Sequence, residues 1–514
     1  MILDDNVLLY ILTYLNLETI KNLRFLNKKF KRIVDKIYYS YYDFNIIKIK
    51  YNKDKIKKLI NIYTYYHLEN LHDYTNLTEI KFNQHFNLPI TNLPNTITHI
   101  TFNDCFDNKI YNLPNTLKYL KFGSDFNQPV DKLPQSLNQL TCGDNFNQPV
   151  DKLPQSITNL TFGYFFNQIV DKLPQSITHL TFGECFNQSI DNLPESITHL
   201  TFCWNFDKSV DNLPQSITHL TVGWNFNRSV DKLPQSITHL TFGKDFNQSV
   251  DNLPQLITHL TFSADFNQSV DKLPNSITKL VFGFWFNQPV DNLPQSITHL
   301  TFGYEFNQSV DKLPQSITHL TFGELFNQSV DNLPQSITHL TFGSFFNQSV
   351  DNLPKLITHI EFSKYSKFNQ SVDNLPKSIT HITFGDYFNQ SVDKLPQSIT
   401  HIEFSKYSKF NQSIDKLPQT ITHLTFGYHF NQSIYKLLSQ SVTHLTFGHD
   451  FNKSVDNLPQ SITHLTFGYN FNQKIDFEKI PKLEELTINK DSKYYKYRDK
   501  YIDTIPKKIR VIYL

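Results

Sequence analysis

Histidine is the residue of this 514-residue chain whose placement most invites a chemical reading. Fifteen of its 20 histidines, among them His179, His199, His219, His299 and His464, hold one position of a recurring run typified by Ile-Thr-His-Leu-Thr-Phe. A row of imidazoles suggests zinc ligation or pH sensing. A surface side chain copied along with its repeat is the plainer account. Aspartates such as Asp171, Asp191 and Asp211 recur with Lys or Asn behind them. The Gly-rich G-G-x-G-x-D turns that calcium-binding β-rolls require do not occur. Four cysteines, at 105, 142, 185 and 203, include no C-x-x-C pair, which argues against a zinc module and a disulfide scaffold alike. No Ser/His/Asp constellation stands out from the periodic background. The sequence predicts no enzyme, no cofactor and no metal site.

A second set of positions suggests binding rather than catalysis. Two adjacent columns vary from repeat to repeat while their neighbours barely change. They hold Tyr164-Phe165, Glu184-Cys185, Trp204-Asn205, Trp224-Asn225, Lys244-Asp245, Phe284-Trp285, Tyr304-Glu305, Ser344-Phe345 and Tyr428-His429. All three tryptophans of the chain lie in these columns. Trp and Tyr are the usual anchors of binding energy at protein interfaces. Tyr164, Trp204, Trp224, Phe284, Trp285 and Tyr304 are therefore the candidate target-binding residues, with drift at a tolerant loop as the alternative. Trp204 and Trp224, on adjacent coils, are expected roughly 5 Å apart.

These residues need a scaffold, and the period supplies it. A Phe recurs from Phe86 to Phe346 at every twentieth residue, then at 368, 388, 410, 430, 451 and 471. So short and regular a period means a solenoid. In one unit, PQSITHLTFGECFNQSIDNL from Pro174, the apolar positions are Ile177, Leu180, Phe182, Phe186, Ile190 and Leu193. Leu180 and Phe182 flank Thr181 in the period-2 pattern of a strand. Six side chains bury too little to order 20 residues alone, so each coil must stack on its neighbours. Stacking predicts a parallel sheet at about 4.8 Å per coil, with extended or short 3₁₀ segments opposite it. Eighteen of the 24 prolines follow a Leu of the row from Leu93 to Leu458, marking a turn that needs no N–H there. All 14 glycines fall in the column after the strand, which points to φ > 0 or to close backbone approach. Asn187, Asn247 and Asn307, each after its Phe, suggest a buried ladder of side-chain bonds.

Phe-Asn-Gln-Pro-Val at 126–130, Leu-Pro at 133–134 and the Leu-Thr-Phe-Gly strand ends resemble the FNIP repeat family, short relatives of leucine-rich repeats. The likeness runs from about 80 to 480. It implies a mainly β protein, a parallel β-solenoid of about 20 repeats of 20–22 residues. The pattern departs at Leu438, where Pro is missing, and at two Ser-Lys-Tyr-Ser-Lys insertions, 363–367 and 405–409, which are expected to bulge. Leu77 to Phe82, Leu483 to Ile488 and Ile509 to Leu514 read as end caps.

The N-terminus carries a different pattern. Val7, Leu8, Ile11, Leu12 and Leu15 are helix-spaced, and Asn16 and Asn27 are placed to cap second and third helices. The run Leu3, Leu8, Ile11, Leu12, Leu15, Leu17, Leu23, Asn27, Lys28, Phe30 and Ile33 resembles the F-box, a small three-helix module. That resemblance implies docking onto the Skp-type adaptor of a cullin–RING ubiquitin ligase through Leu3, Asp4, Leu8, Ile11, Leu12, Leu15 and Leu17. Asp4 stands where the family usually has Pro; it keeps an N-cap but loses that ring's packing against the adaptor. The expected organisation is an F-box-like domain at 1–45, a linker and N-terminal cap at 46–79, the solenoid at 80–475 and a C-terminal cap at 476–514.

Composition narrows the partners. Lys+Arg is 48 against 47 Asp+Glu, so no broad basic field exists for nucleic acid. No apolar run nears the ~20 residues of a membrane span, and the first residues lack a basic signal-peptide start. A soluble, cytoplasmic protein is expected, with the nucleus as the alternative because 36–70 is rich in Lys and Tyr. The functional expectation is a non-catalytic substrate receptor that holds an unidentified target protein; a repeat scaffold or decoy without ubiquitination is the runner-up.

Overall fold

A computed structural model describes residues 42–43, 57–62, 71, 74–90, 93–434, 440–490 and 505–513. The expected N-terminal helices and the Leu438 departure lie outside them. The chain forms two compact units, Met1–Gly243 and Lys244–Leu514. Each is a run of parallel β-solenoid coils, and no α-helix occurs among the described residues.

In the first unit the strands run from Tyr42–Asp43 and Lys58–Ile62 through Glu79–Phe82 to His239–Thr241. Neighbours pair in parallel and in register, so His179 faces His199 and Leu180 faces Leu200. The second unit repeats the arrangement from His259–Thr261 to His464–Phe467, then adds Glu485–Ile488 and Arg510–Tyr513. The three segments read as caps thus enter the ladder as ordinary strands. Opposite the sheet the coils are turns and irregular backbone; the 3₁₀ segment Phe477–Lys479 follows the last full repeat.

The alternation of apolar and polar residues sets the faces. In the strand His179–Thr181 the central Leu180 is buried, and its neighbours face outward. All six apolar positions of this coil, Ile177, Leu180, Phe182, Phe186, Ile190 and Leu193, are buried. Phe182 and Phe186 stack within the coil at 3.8 Å between centroids, and Phe186 meets Phe206 of the next coil at 6.2 Å. Pro174, buried in its turn, accepts a hydrogen bond from the Ile177 amide at 3.2 Å, so its missing N–H costs the ladder nothing.

Polar side chains tie coil to coil. The Asn187 amide donates to Asn167 Oδ1 at 3.0 Å, and Gln188 Nε2 donates to the same oxygen at 3.1 Å. The ladder expected from the sequence is present, but its asparagines are half-buried, because the Gln side chains shield them only in part. Ser176 Oγ donates to the Ile157 carbonyl at 2.6 Å, and Thr178 Oγ1 to the Thr158 carbonyl at 3.2 Å. The Ser176 bond reaches a carbonyl beside the strand, and the Thr178 bond adds to two backbone amides already on the Thr158 carbonyl.

Candidate functional site

The varied columns lie on a loop edge whose shape follows from the glycine before them. A Cβ built on Gly183 would overlap the Gly163 carbonyl oxygen, and one on Gly323 that of Gly303. Close approach is the whole reason for the glycine column: none of its members has positive φ, which corrects half of the sequence expectation. The backbone passes so near the preceding coil that the next two side chains are turned outward.

The aromatic residues there make stacks. In the first unit the Trp204 and Trp224 rings lie 4.4 Å apart and nearly parallel, at 7°, and are 46% and 45% exposed. Tyr164, also exposed, meets Phe165 edge to face at 4.6 Å. In the second unit Phe284 stacks on Tyr304 at 4.5 Å and meets Trp285 edge to face at 4.7 Å. The six residues picked from sequence are all exposed: Trp204 pairs with Trp224, Phe284, Trp285 and Tyr304 form a three-ring cluster, and Tyr164 pairs with Phe165, which was not among the six. Leu3, Asp4, Leu8, Ile11, Leu12, Leu15 and Leu17 lie outside the described residues.

Sequence reasoning passed over a further group on this edge. Tyr365, Tyr387 and Tyr407 are exposed, as is Phe345, and Tyr365 and Tyr407 come from the two insertions. The insertions do protrude, but only at the edge. Ser366 is fully buried, takes the Ser363 carbonyl at 2.9 Å and accepts the Phe368 amide on its hydroxyl at 3.2 Å. The Asn relay crosses the longer coil unbroken, Asn369 N–H to Asn347 Oδ1 at 2.9 Å. The signal that could have found the group was a tyrosine at the centre of both insertions.

On the sheet face the histidines form stacks. From His299 to His464 the rings follow one another at 4.1–4.4 Å. Each such Nδ1 sits near the preceding threonine hydroxyl, 2.9 Å for Thr338 and His339. With the ring proton on Nδ1, imidazole donates to the threonine and the threonine to the carbonyl one coil back, Thr318 O for Thr338 at 3.1 Å. Burial, then repulsion from neighbouring rings, holds His199, His339 and His381 below the ordinary imidazole range, and brings His401 to about 4. Stacked rings carry their lone pairs in parallel planes, which do not converge on one ion. Among the described residues no three His, Cys, Asp or Glu side chains gather as a metal site.

The aspartate row is structural in the same sense. Lys272 reaches Asp251 one coil back at 2.8 Å, and Lys394 reaches Asp373 at 2.8 Å, both with the lysines well exposed. Exposed pairs of this kind, screened by solvent, contribute little to stability. The Ser189 hydroxyl and the Asn212 amide hold Asp191 below its ordinary value. All four cysteines are free, and burial pushes the Cys142 thiol far up.

The coil, its register and its edge coincide with a known repeat. The FNIP Repeat profile matches fourteen stretches, the first at 75–105 and the last at 451–491. The chain belongs to the FNIP repeat family. The F-box domain profile matches residues 1–39. Among solved structures, "CroV588 a novel circular LRR protein structure" is 38% identical, with TM-score 0.70, over 90% of this FNIP chain and 81% of that one. The functional domain of InlJ from Listeria monocytogenes is 12% identical, with TM-score 0.39, over 69% of this chain and 74% of that one. No functionally curated protein matches. An F-box joined to a leucine-rich-like FNIP solenoid is the architecture of a protein-interaction adaptor or substrate receptor. Among the described residues no helix is long and apolar enough to cross a membrane.

Proposed function

We propose that the protein is a substrate receptor of a cullin–RING ubiquitin ligase. The F-box at 1–39 docks on a Skp-type adaptor, and the loop edge of the solenoid holds the target beside the ubiquitin-loaded enzyme. Proximity is then the catalytic contribution, with no reacting group supplied by this chain. The observation that carries the reading is the pairing of an F-box with a solenoid whose exposed aromatic rings are already stacked, as at Trp204 and Trp224. Rings held by one another lose little freedom on binding.

Ile11 and Leu15 are one helical turn apart and share a face if the F-box helix forms. Replacing both with Arg puts two charges into an apolar contact, costing several kcal/mol. A pull-down should then lose the adaptor, whereas the pair Trp204→Ala, Trp224→Ala should keep it and lose proximity labelling of the target. Adaptor capture by the Arg pair at wild-type level would sink the docking face. Asp4 favours a second reading, a scaffold or decoy that binds partners without ubiquitin transfer; normal target labelling with no ubiquitin on the target would select it.

A further inference from the structure

The lysines of the two insertions are held unlike those elsewhere on the solenoid. Lys272, Lys312, Lys394 and Lys416 each reach an aspartate of the preceding coil. Lys364, Lys367, Lys406 and Lys409 make no ion pair among the described residues and are placed over rings instead. Lys367 Nζ stands 3.7 Å from the Phe345 centroid, and Lys409 Nζ 4.0 Å from that of Tyr387. Lys364 Nζ is 4.8 Å from the Tyr365 ring and 5.4 Å from that of Tyr407, and it donates to the Tyr365 hydroxyl at 3.2 Å. Cation–π contact fixes an ammonium group without neutralising it.

The nearby carboxylates offset this charge only in part, Asp386 acting on Lys364. Asp386 is buried and accepts the Ser405 hydroxyl at 2.5 Å. Glu361 and Glu403 belong to the strands of the two long coils, in the outward column mostly filled by threonine. On a chain of net charge +1, four ammonium groups that make no ion pair among the described residues are gathered among four exposed rings.

We infer that this Lys–aromatic ridge is the docking site for an acidic, extended peptide segment of the target. The inference rests on the loop edge being the target-binding surface. Charge complementarity selects the occupant, since carboxylates supply what the four lysines lack. Single-stranded nucleic acid fits less well. Ammonium groups already cover the Phe345 and Tyr387 faces that bases would stack on, and four charges are few against the 6–10 phosphate contacts typical of such binding. Spacing adds a preference. Lys364 and Lys406 are two coils apart, roughly 9.6 Å at the strand repeat. A polyproline-II segment presents every third residue on one side at roughly 9.3 Å. The ridge therefore favours acidic side chains at every third position.

The test uses the full chain and a fluorescein-labelled Glu-Pro-Pro repeat peptide, with a Gln-Pro-Pro peptide and an oligothymidine strand as comparisons. Wild type should bind the Glu peptide, more weakly as salt shortens the screening length from about 10 Å at 0.1 M to about 3 Å at 1 M. Lys364→Glu with Lys406→Glu should weaken binding about tenfold or more, and Trp204→Ala with Trp224→Ala should leave it unchanged. Equal binding of the Gln peptide, preference for oligothymidine, or indifference to the Lys pair would overturn the ridge. Target labelling lost in the Trp pair but normal in the Lys pair would remove the ridge and leave the loop edge standing. Labelling untouched by either pair would remove the loop edge itself.

Discussion

The interior of a coil and its loop edge both stack aromatic rings, to opposite ends. Phe302 lies 3.7 Å from Phe306 and is sealed from water, while Trp204 and Trp224, 4.4 Å apart, are half exposed. Inside, Phe recurs in nearly every coil, with Cys142 and Val222 as buried exceptions, because a smaller side chain leaves space that two neighbouring coils must share. At the edge Trp, Tyr, Phe, Glu and Ser interchange, because the backbone beneath is already satisfied by its own relay. Tyr164 and Trp204 both accept an amide from the next coil, from Cys185 and Asn225, each at 2.8 Å. Stability and the proposed recognition thus occupy separate columns of one repeat.

The largest test of that separation is Phe306→Ala. It removes a ring packed on Phe302, Phe286 and Phe326 and should cost about 3–5 kcal/mol in denaturant unfolding. A loss below about 1 kcal/mol would mean the interior is as tolerant as the edge. Gly323→Val comes next. Its added carbons run into the Gly303 carbonyl, so coils must part, at about 1–3 kcal/mol. Because no glycine in the column needs positive φ, the penalty should follow side-chain bulk, and Gly323→Ala should cost less than Gly323→Val.

Acid should act on the histidine stacks of the sheet face and spare the loop edge. His401, lowered to about 4, and His359, His381 and His444, also lowered, bind protons more readily unfolded than folded. Stability is therefore full above the unfolded value near 6.5, falls as pH drops from there toward 4, and levels off below. Melting temperature measured across that window should fall, and less so when His381, His401 and His423 are all changed to Gln. A melting temperature that rises on acidification would reverse the assignment. The smallest effect belongs to the edge: Trp204→Ala with Trp224→Ala should change unfolding free energy by about 1 kcal/mol or less.

How far the sequence could be read follows the same division. The six apolar positions from Ile177 to Leu193 were legible because each has one side to face, and period 20 places it. Leu-Pro was legible because proline removes a donor wherever it stands. The glycine column was legible as a constraint but not as a kind of constraint, since φ > 0 and close approach demand the same residue. The strand Lys58–Ile62 was hidden, because the surrounding Lys- and Tyr-rich segment departs from the repeat template even though it pairs with Glu79–Phe82. Tyr365 and Tyr407 read as bulge residues because composition says nothing about Ser366 folding inward and lifting its neighbour. Placing Lys367 over Phe345 needs three dimensions, for the two are 22 positions apart.

The asparagine relay has a consequence for heredity. The Asn307 amide donates to Asn287 Oδ1, and Asn307 Oδ1 accepts the same bond from the Asn327 amide. Excising 307–326 would set the Asn327 amide opposite Asn287 Oδ1, an identical handshake between new partners. Unequal crossing-over between near-identical gene segments can therefore add or drop whole coils without any compensating substitution. Copy number becomes a heritable dial on the length of the recognition edge, turned in steps of one coil.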